Sequence, residues 1–509
     1  MEWLVVVLNF IGQQILNVPA YLIGIITALG LMALRKNAGQ VIGGGLKAAI
    51  GFLILGAGAN VVVGSLDPLG QLILKVTGAQ GVIPTNEVIT AMAQEEFGAQ
   101  SAYVLTLGFV VMLLLARFTP LKYVFLTGHH MVFMATMLTV VLSVGLGADL
   151  GWLVVLIGAL LLGVIMVVMP AFLHPWTKKI TGNDSIAIGH FGSLGYLAAG
   201  AAGQVAGKRS KSTEDIKFPQ SLKFLRDSMV ATSLSMIAIY MVFTIWGLIA
   251  LPMDEALAIF GAADGGAFIM AGLAQALQFG VGVAVILYGV RTVLGELVPA
   301  FQGIAEKVVP GAKPALDIPI VFPFGANAVL IGFLSSFAGG LLALGLLAIW
   351  LNPAFGLALI LPGMVPHFFT GGGAGVYGNA TGGRRGAVLG GFVNGVIITI
   401  LPAILLLVLG DLGFANSTFG DADFGWFGTL VGVSLLGSSA LGAVLTVLIA
   451  VVLVTAGIIF QVKVVNRGWV PGAKRDAWIA EEKAAEAAIA AQAKAELADR
   501  KVAAESTAS

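Results

Sequence analysis

The chain has 509 residues, of which 58% are hydrophobic and only 10% charged, where an ordinary soluble domain carries about 25% charged residues. With a formal net charge of +1 and a mean hydropathy of +0.99, nothing global favours nucleic acid, and most of the surface must face lipid rather than water. The absence of cysteine excludes disulfides, thiolate metal sites and covalent chemistry on sulfur.

Apolar segments follow one another at roughly 4–34, 46–66, 101–117, 122–147, 151–172, 228–251, 266–294, 328–351, 354–365, 386–410 and 429–462. A helix needs about 20 apolar residues to cross a hydrocarbon core, so the pattern predicts about eleven transmembrane helices. Glu2 precedes the first run with no basic region before it, which reads as a retained segment rather than a cleaved leader. The fold class expected is an all-α polytopic membrane protein in an inner or plasma membrane.

Basic residues gather at the junctions: Arg35 and Lys36, Arg117 and Lys122, Lys178 and Lys179, then Lys208, Arg209, Lys211, Lys217, Lys223 and Arg226. By the positive-inside rule these junctions face the cytoplasm. The polar loop at 207–227 divides the chain, predicting two repeats at about 1–206 and 228–462, each with a Gly/Pro-interrupted segment of the kind that builds transporter sites. The membrane region would thus span 1–462, and residues 463–509 read as a charged, Ala-rich cytoplasmic tail.

Ionisable groups inside membrane segments cost about 2.5 to 3.5 kcal/mol on insertion scales, so each such cluster is a candidate site. Four qualify. Thr127, Gly128, His129 and His130 open an apolar helix, with interfacial histidines capped by Thr127 as the bland reading. Asn183, Asp184 and Ser185 lead through 186–188 to Gly189, His190, Phe191 and Gly192, predicting a short capped helix in a re-entrant hairpin. Pro310, Pro314, Pro319 and Pro323 break the helix around Asp317, an acceptor suited to sugar hydroxyls or to a helix cap. Pro362, Gly363, Pro366, His367, Thr370 and the glycine run 371–373 permit close approach of backbone to a ligand, or close helix packing. No nucleotide loop, hydrolase triad or metal cluster is legible, so no cofactor and no metal are expected, and a membrane-embedded enzyme using His129 or His190 as base is the weaker reading.

These residues resemble the ascorbate-specific IIC permease family of the bacterial phosphoenolpyruvate:sugar phosphotransferase system, of the ascorbate-galactitol superfamily. The resemblance rests on ordered short motifs: Leu34-Arg35-Lys36, Lys47 with Ile50-Gly51-Phe52, Ala57-Gly58, Leu126-Thr127-Gly128-His129, Ile188-Gly189-His190, and Ser212-Thr213-Glu214-Asp215 with Lys217 and Pro219. It continues through Gly289-Val290-Arg291, Glu296, Phe301, Gly303-Ile304, Pro310-Gly311-Ala312, Asp317, Asn327-Ala328-Val329, Pro362-Gly363, Pro366 and Phe368-Phe369. The family implies a homodimer of eleven-helix protomers with re-entrant hairpins, two inverted repeats forming a core domain and a V-motif domain, and elevator-like movement of the core. It implies transport of ascorbate or a related small polar sugar or sugar acid, phosphorylated by a cytoplasmic IIB subunit supplied by IIA. Carried over, the substrate contacts are His129, His190 and Asp317, with Asn86, Glu87 and Thr370 as further candidates. Phe191, Gly192, Phe133 and Met134 stand where the family tends to have polar residues, which keeps other sugars open. An ion-coupled secondary transporter of a polar solute, using Asp317 or Glu296, is the alternative.

Overall fold

The computed structural model describes residues 18–147, 150–216, 228–414, 416–437 and 439–507. Glu2, the early part of the first apolar segment, Lys217, Pro219, Lys223 and Arg226 lie outside them. Among the described residues eight helices are long and apolar enough to cross a bilayer, and the stretches Ala20–Ala33 and Met236–Ala250 are shorter apolar helices. The chain is an all-α polytopic membrane protein. One expected segment resolves differently: 354–365 is too short to cross, and instead ends a helix at Phe355 and forms a two-residue strand, Leu359–Ile360.

Helix α1 (Pro19–Ala33) and helix α2 (Ala38–Thr77) form a hairpin, with α2 started by a capping box in which the Asn37 side chain accepts from Gln40 N–H and Gln40 answers to Asn37 N–H. Strand β1 (Gly81–Pro84), α3 (Asn86–Phe118), β2 (Tyr123–Phe125), α4 (Gly128–Leu146), α5 (Gly151–Thr181), β3 (Ala187–Ile188) and α6 (Ser193–Ala206) complete the first half. The second half contains α7 (Ser228–Ala250), α8 (Met253–Phe260), α9 (Gly265–Val308), β4 (Lys313–Leu316), α10 (Ala326–Leu346), β5 (Leu359–Ile360), α11 (Met364–Leu405, two helical arms that meet at a break at Gly383), β6 (Ser417–Thr418), α12 (Ala422–Ser434) and α13 (Ser439–Phe460). Helix α14 (Ala473–Thr507) follows, tied back by Lys179 to Asp476 at 2.6 Å and Lys211 to Glu482 at 3.1 Å.

Helix α9 lies along α2, flanked by α1 and α7. Glycine makes this approach possible: a Cβ added at Gly289 would sit 2.6 Å from the Gly51 carbonyl oxygen, and one at Gly282 would sit 3.0 Å from that of Gly58. The other helices pack chiefly among themselves, α3 against α4 and α5, and α11 against α6 and α10, around a large apolar core that includes Met112, Phe125, Met137, Leu162, Phe191 and Phe424. Many outward side chains, such as Val444, Val451 and Val452 on α13, are exposed and apolar, as a lipid-facing surface requires.

Between these bundles the helices break, and the breaks pair with one another. The strands form two three-stranded parallel sheets, ordered β5-β1-β6 and β2-β4-β3. Each sheet sets one strand from one half of the chain between two from the other. Backbone freed from a helix at membrane depth must find partners inside the protein, and here the parallel ladders supply them. Thr85 N–H donates to the Thr418 carbonyl at 2.9 Å, Leu361 N–H to Val82 at 2.9 Å, Leu126 N–H to Ala315 at 3.0 Å and Gly189 N–H to Leu316 at 2.8 Å. Every strand then runs within a few residues into a helical turn, so six strand-to-helix junctions are held in place by two small sheets.

Candidate functional site

All six junctions open onto one cavity of about 290 Å³. Its wall takes Asn86 and Glu87 from the β1 junction, His129 and His130 from β2, His190 from β3, Asp317 from β4, Gly363 and Pro366 from β5, and Asp421 from β6. Facing them is one stripe of α9 at helical spacing, Phe279, Val283, Leu287, Val290, Arg291 and Leu294, with Met236 of α7. One wall is therefore polar and built of chain breaks, and the other is largely apolar and built of regular helix.

The Asp317 carboxylate stands between two imidazoles. Its Oδ2 is 3.5 Å from His129 Nε2, its Oδ1 is 3.9 Å from His190 Nε2, and Oδ1 also accepts from Ile318 N–H at 2.7 Å. Asp317 thus caps a helical turn and faces the cavity at once. His190 is buried, and its Nδ1 accepts from Gly192 N–H at 3.0 Å with the Tyr196 hydroxyl also 3.0 Å away. That fixes the neutral tautomer in which Nε2 carries the proton and donates into the cavity. His130 packs against His190 with ring centroids 3.9 Å apart, and its Nδ1 lies 3.8 Å from Asp421 Oδ2. Asn86 latches the β6 junction, donating from Nδ2 to Asp421 at 2.9 Å and accepting from Gly420 N–H at 2.7 Å. The result is a cluster of imidazoles and carboxyl groups on one wall, with Phe133 edge-on to His129 and His130 as an apolar platform: a surface able to exchange hydrogen bonds with a small polar molecule.

A profile of the family described as the phosphotransferase-system sugar-specific permease component matches residues 14–423. The chain belongs to that permease family. It is 32% identical over 423 residues to a protein of Mycoplasma pneumoniae named an ascorbate-specific phosphotransferase-system EIIC component. That match takes in 75% of this chain and 63% of the relative, so the chain spans less than two thirds of that protein's length. Family membership and, among the described residues, eight helices long and apolar enough to cross a bilayer make it a multi-pass membrane protein.

Of the residues expected from sequence, the fold brings His129, His190, Asp317, Asn86 and Glu87 to the cavity and leaves Thr370 outside its lining. Thr370 is buried in α11, donating to the Pro366 carbonyl at 2.7 Å and accepting from Asn394 at 3.1 Å. His367 likewise bonds Ser336 at 2.8 Å across the α10–α11 contact. The glycine run serves that contact too, because a Cβ at Gly372 would meet Val329 at 2.9 Å. The short helix expected at 186–188 is strand β3, with α6 beginning only at Ser193. Asp184 caps nothing there: it gathers His174 at 3.0 Å, Lys178 at 3.2 Å and Lys313 at 3.2 Å. Although burial opposes it, the hydrogen bonds from His174, Lys313 and Lys178 hold the Asp184 carboxyl down at about 2.

Sequence reasoning passed over Asp421, Asp423 and Arg291's place in the cavity. The stretch 411–423, polar between two apolar helices, was the available signal for the first two. Asp423 accepts from both Ser193 and Leu194 N–H at 2.9 Å, so it caps α6 from the facing junction and steadies the His190 loop. Two groups, His129 with His130 and Asp317, and His130 with His190 and Asp421, bring their ligand atoms within 4.8 Å. The tautomer of His190 argues against a metal in the second, since the ring nitrogen that faces the cavity bears a proton.

Proposed function

We propose that this chain is the IIC permease subunit of a phosphotransferase system that binds ascorbate or a related sugar or sugar acid and carries it across an inner or plasma membrane, for phosphorylation by a cytoplasmic IIB subunit charged by IIA. The observation that carries the reading is the meeting of three histidines, Asp317, Asn86 and Asp421, from five of the six chain breaks, in one sugar-sized cavity. The chain has no cysteine, in keeping with a phosphocysteine belonging to the IIB partner.

The same layout supports an elevator. The polar wall belongs to a core, α3 to α6 and α10 to α13, whereas the apolar wall belongs to a V-motif scaffold of α1, α2 and α7 to α9, whose free faces would carry a homodimer contact. A polar site sliding along an apolar wall loses few hydrogen bonds on the way, which lowers the barrier to movement as a rigid body. The distribution of strands between the sheets is the arrangement two inverted repeats would generate. In the ion-coupled alternative Glu296 was one of two coupling groups, but it is engaged by Lys47 at 2.8 Å and lies outside the cavity lining.

Uptake of labelled ascorbate and a panel of sugars into cells carrying the chain, with and without a working phosphoenolpyruvate chain and its IIA and IIB subunits, tests the reading. Accumulation as a phosphate ester only when that chain works is the expected result. Uptake of unmodified solute that collapses with the proton gradient would replace it with a secondary carrier.

A further inference from the structure

Arg291 has a position that the sugar-permease reading does not use. It lies within the apolar span Met253–Pro299 and lines the cavity, where its neighbours on the same wall are Val283, Leu287, Val290 and Leu294. Among the described residues it makes no hydrogen bond and no ion pair. Arg291 is exposed, and an ionisable side chain in a membrane span that faces a cavity marks a substrate or ion pathway by default. Glu296, five residues on, is taken by Lys47, so no acid on the same helix neutralises it. Its backbone is held in place by the close contact of Gly289 with Gly51 and Leu55 on α2.

The cavity's charge sharpens the point. Its lining carries the carboxyl groups of Glu87, Asp317 and Asp421, three histidines, and Arg291 as the single side chain with a permanent positive charge. A neutral sugar would need only the donors and acceptors of the junction wall. An anionic cargo entering beside three carboxyl groups needs a fixed cation, and the lining offers one. The guanidinium presents parallel N–H donors that suit a planar pair of oxygens, such as a carboxylate or the ene-diolate edge of a lactone acid.

We propose that Arg291 is the counter-ion of an anionic cargo, engaging its acidic edge from the α9 wall while the junction wall reads its hydroxyls, and so selects sugar acids over neutral sugars. This rests on the sugar-permease reading and goes beyond it by assigning the charge of the cargo and the residue that recognises it.

The test is equilibrium binding to the purified, membrane-reconstituted chain of two matched pairs: ascorbate against L-gulonolactone, and gluconate against glucitol. The wild type should bind the acid of at least one pair about tenfold or more tighter than its neutral counterpart. Arg291→Gln should weaken that acid by at least about tenfold while moving the neutral compound by less than about twofold, and Arg291→Lys should fall between, keeping the charge but losing the fork. A second measurement needs no variant: raising chloride on the wild type should weaken the acid and spare the neutral compound. Equal losses for both members, unchanged acid binding in Arg291→Gln, or binding of the acid insensitive to chloride would each overturn the proposal. A wild type that prefers the neutral member of each pair overturns it too, while leaving the permease reading intact. Failure of that reading has a separate signature, uptake without phosphorylation.

Discussion

His190 makes its two kinds of contact through different ring nitrogens, and substitution can separate them. Nδ1 accepts from Gly192 N–H and shapes the turn into α6, whereas Nε2 faces Asp317 and the cavity. Asparagine can reproduce the Nδ1 acceptor but not the reach of Nε2, so His190→Asn should keep the melting temperature near that of the wild type while weakening cargo binding at least about tenfold. His190→Gln should do the reverse, sparing part of the binding and lowering stability, as paired melting and binding curves would reveal. Asp184 allows a prediction of pH dependence. Its folded carboxyl titrates at about 2 against an ordinary 3.8, so its contribution to stability is fully present above the ordinary value and is lost as the pH falls through the folded one. The gap in melting temperature between wild type and Asp184→Asn should therefore be flat from about pH 8 to about pH 5, closing only below 3.8. A gap that closed between neutrality and about pH 5 would mean that Lys178, Lys313 and His174 do not hold the charge. At this scale the sequence told much about His129, His190 and Asp317, since ionisable groups among apolar runs are conspicuous. It told little about Thr370 or Asp184, whose partners are set by the folding: Asn394 beyond the break at Gly383 in α11, and Lys313 from the other half of the chain.

Long apolar helices could be read from the chain by length alone, but the elements that make the site could not. Strands of two to four residues are too short for a period of two to register, and their partners lie far away in sequence, as Gly81 with Leu359 and Tyr123 with Lys313. Prolines and glycines announced that the helices break, not what the broken backbone would pair with. The cap that Asp423 places on α6 follows from that pairing. Replacing it by alanine removes two buried acceptor bonds to Ser193 and Leu194 and one from Trp426, and should cost about 1 to 2 kcal/mol or more in stability, together with a loss of cargo affinity through the His190 loop. Unchanged binding in a folded Asp423→Ala protein would separate the cap from the site. Helix α2 supplies a comparison within one element. A side chain at Gly51 would meet Gly289 O and Val293 N at 2.9 Å, whereas one at Gly56 meets nothing within 4 Å. Gly51→Val should destabilise by about 1 to 3 kcal/mol through overpacking, and Gly56→Ala should be neutral or stabilise by up to about 1 kcal/mol, as melting in detergent would measure.

At the scale of the molecule, the proposed movement of the core along the scaffold makes a claim about which contacts must break during transport. Gly128, at the start of α4 beside His129, faces α9: a Cβ placed there would lie 2.8 Å from Leu294 Cδ2 and 2.6 Å from Val298 Cγ2. If the core slides, this contact is made in one state and lost in the other. Because the chain contains no cysteine, a pair introduced at these positions would be the only pair present, and no background needs removing. Gly128→Cys with Leu294→Cys, and Val298→Ala to make room, sets two thiols on facing elements where a Cβ at 128 would lie 2.8 Å from the Leu294 side chain, so that oxidation can be tested for a cross-link. Oxidation should then stop uptake, to less than about a tenth of the reduced protein, and a reductant should restore it, since a disulfide withstands the forces of a domain shift that weaker contacts do not. Cargo binding to the oxidised protein should persist, because His190, Asp317 and Asn86 keep their places on the junction wall. Full uptake by a protein whose cross-link is complete by mobility shift would mean that α4 and α9 stay together throughout the cycle, and that access alternates by local opening of the junctions instead.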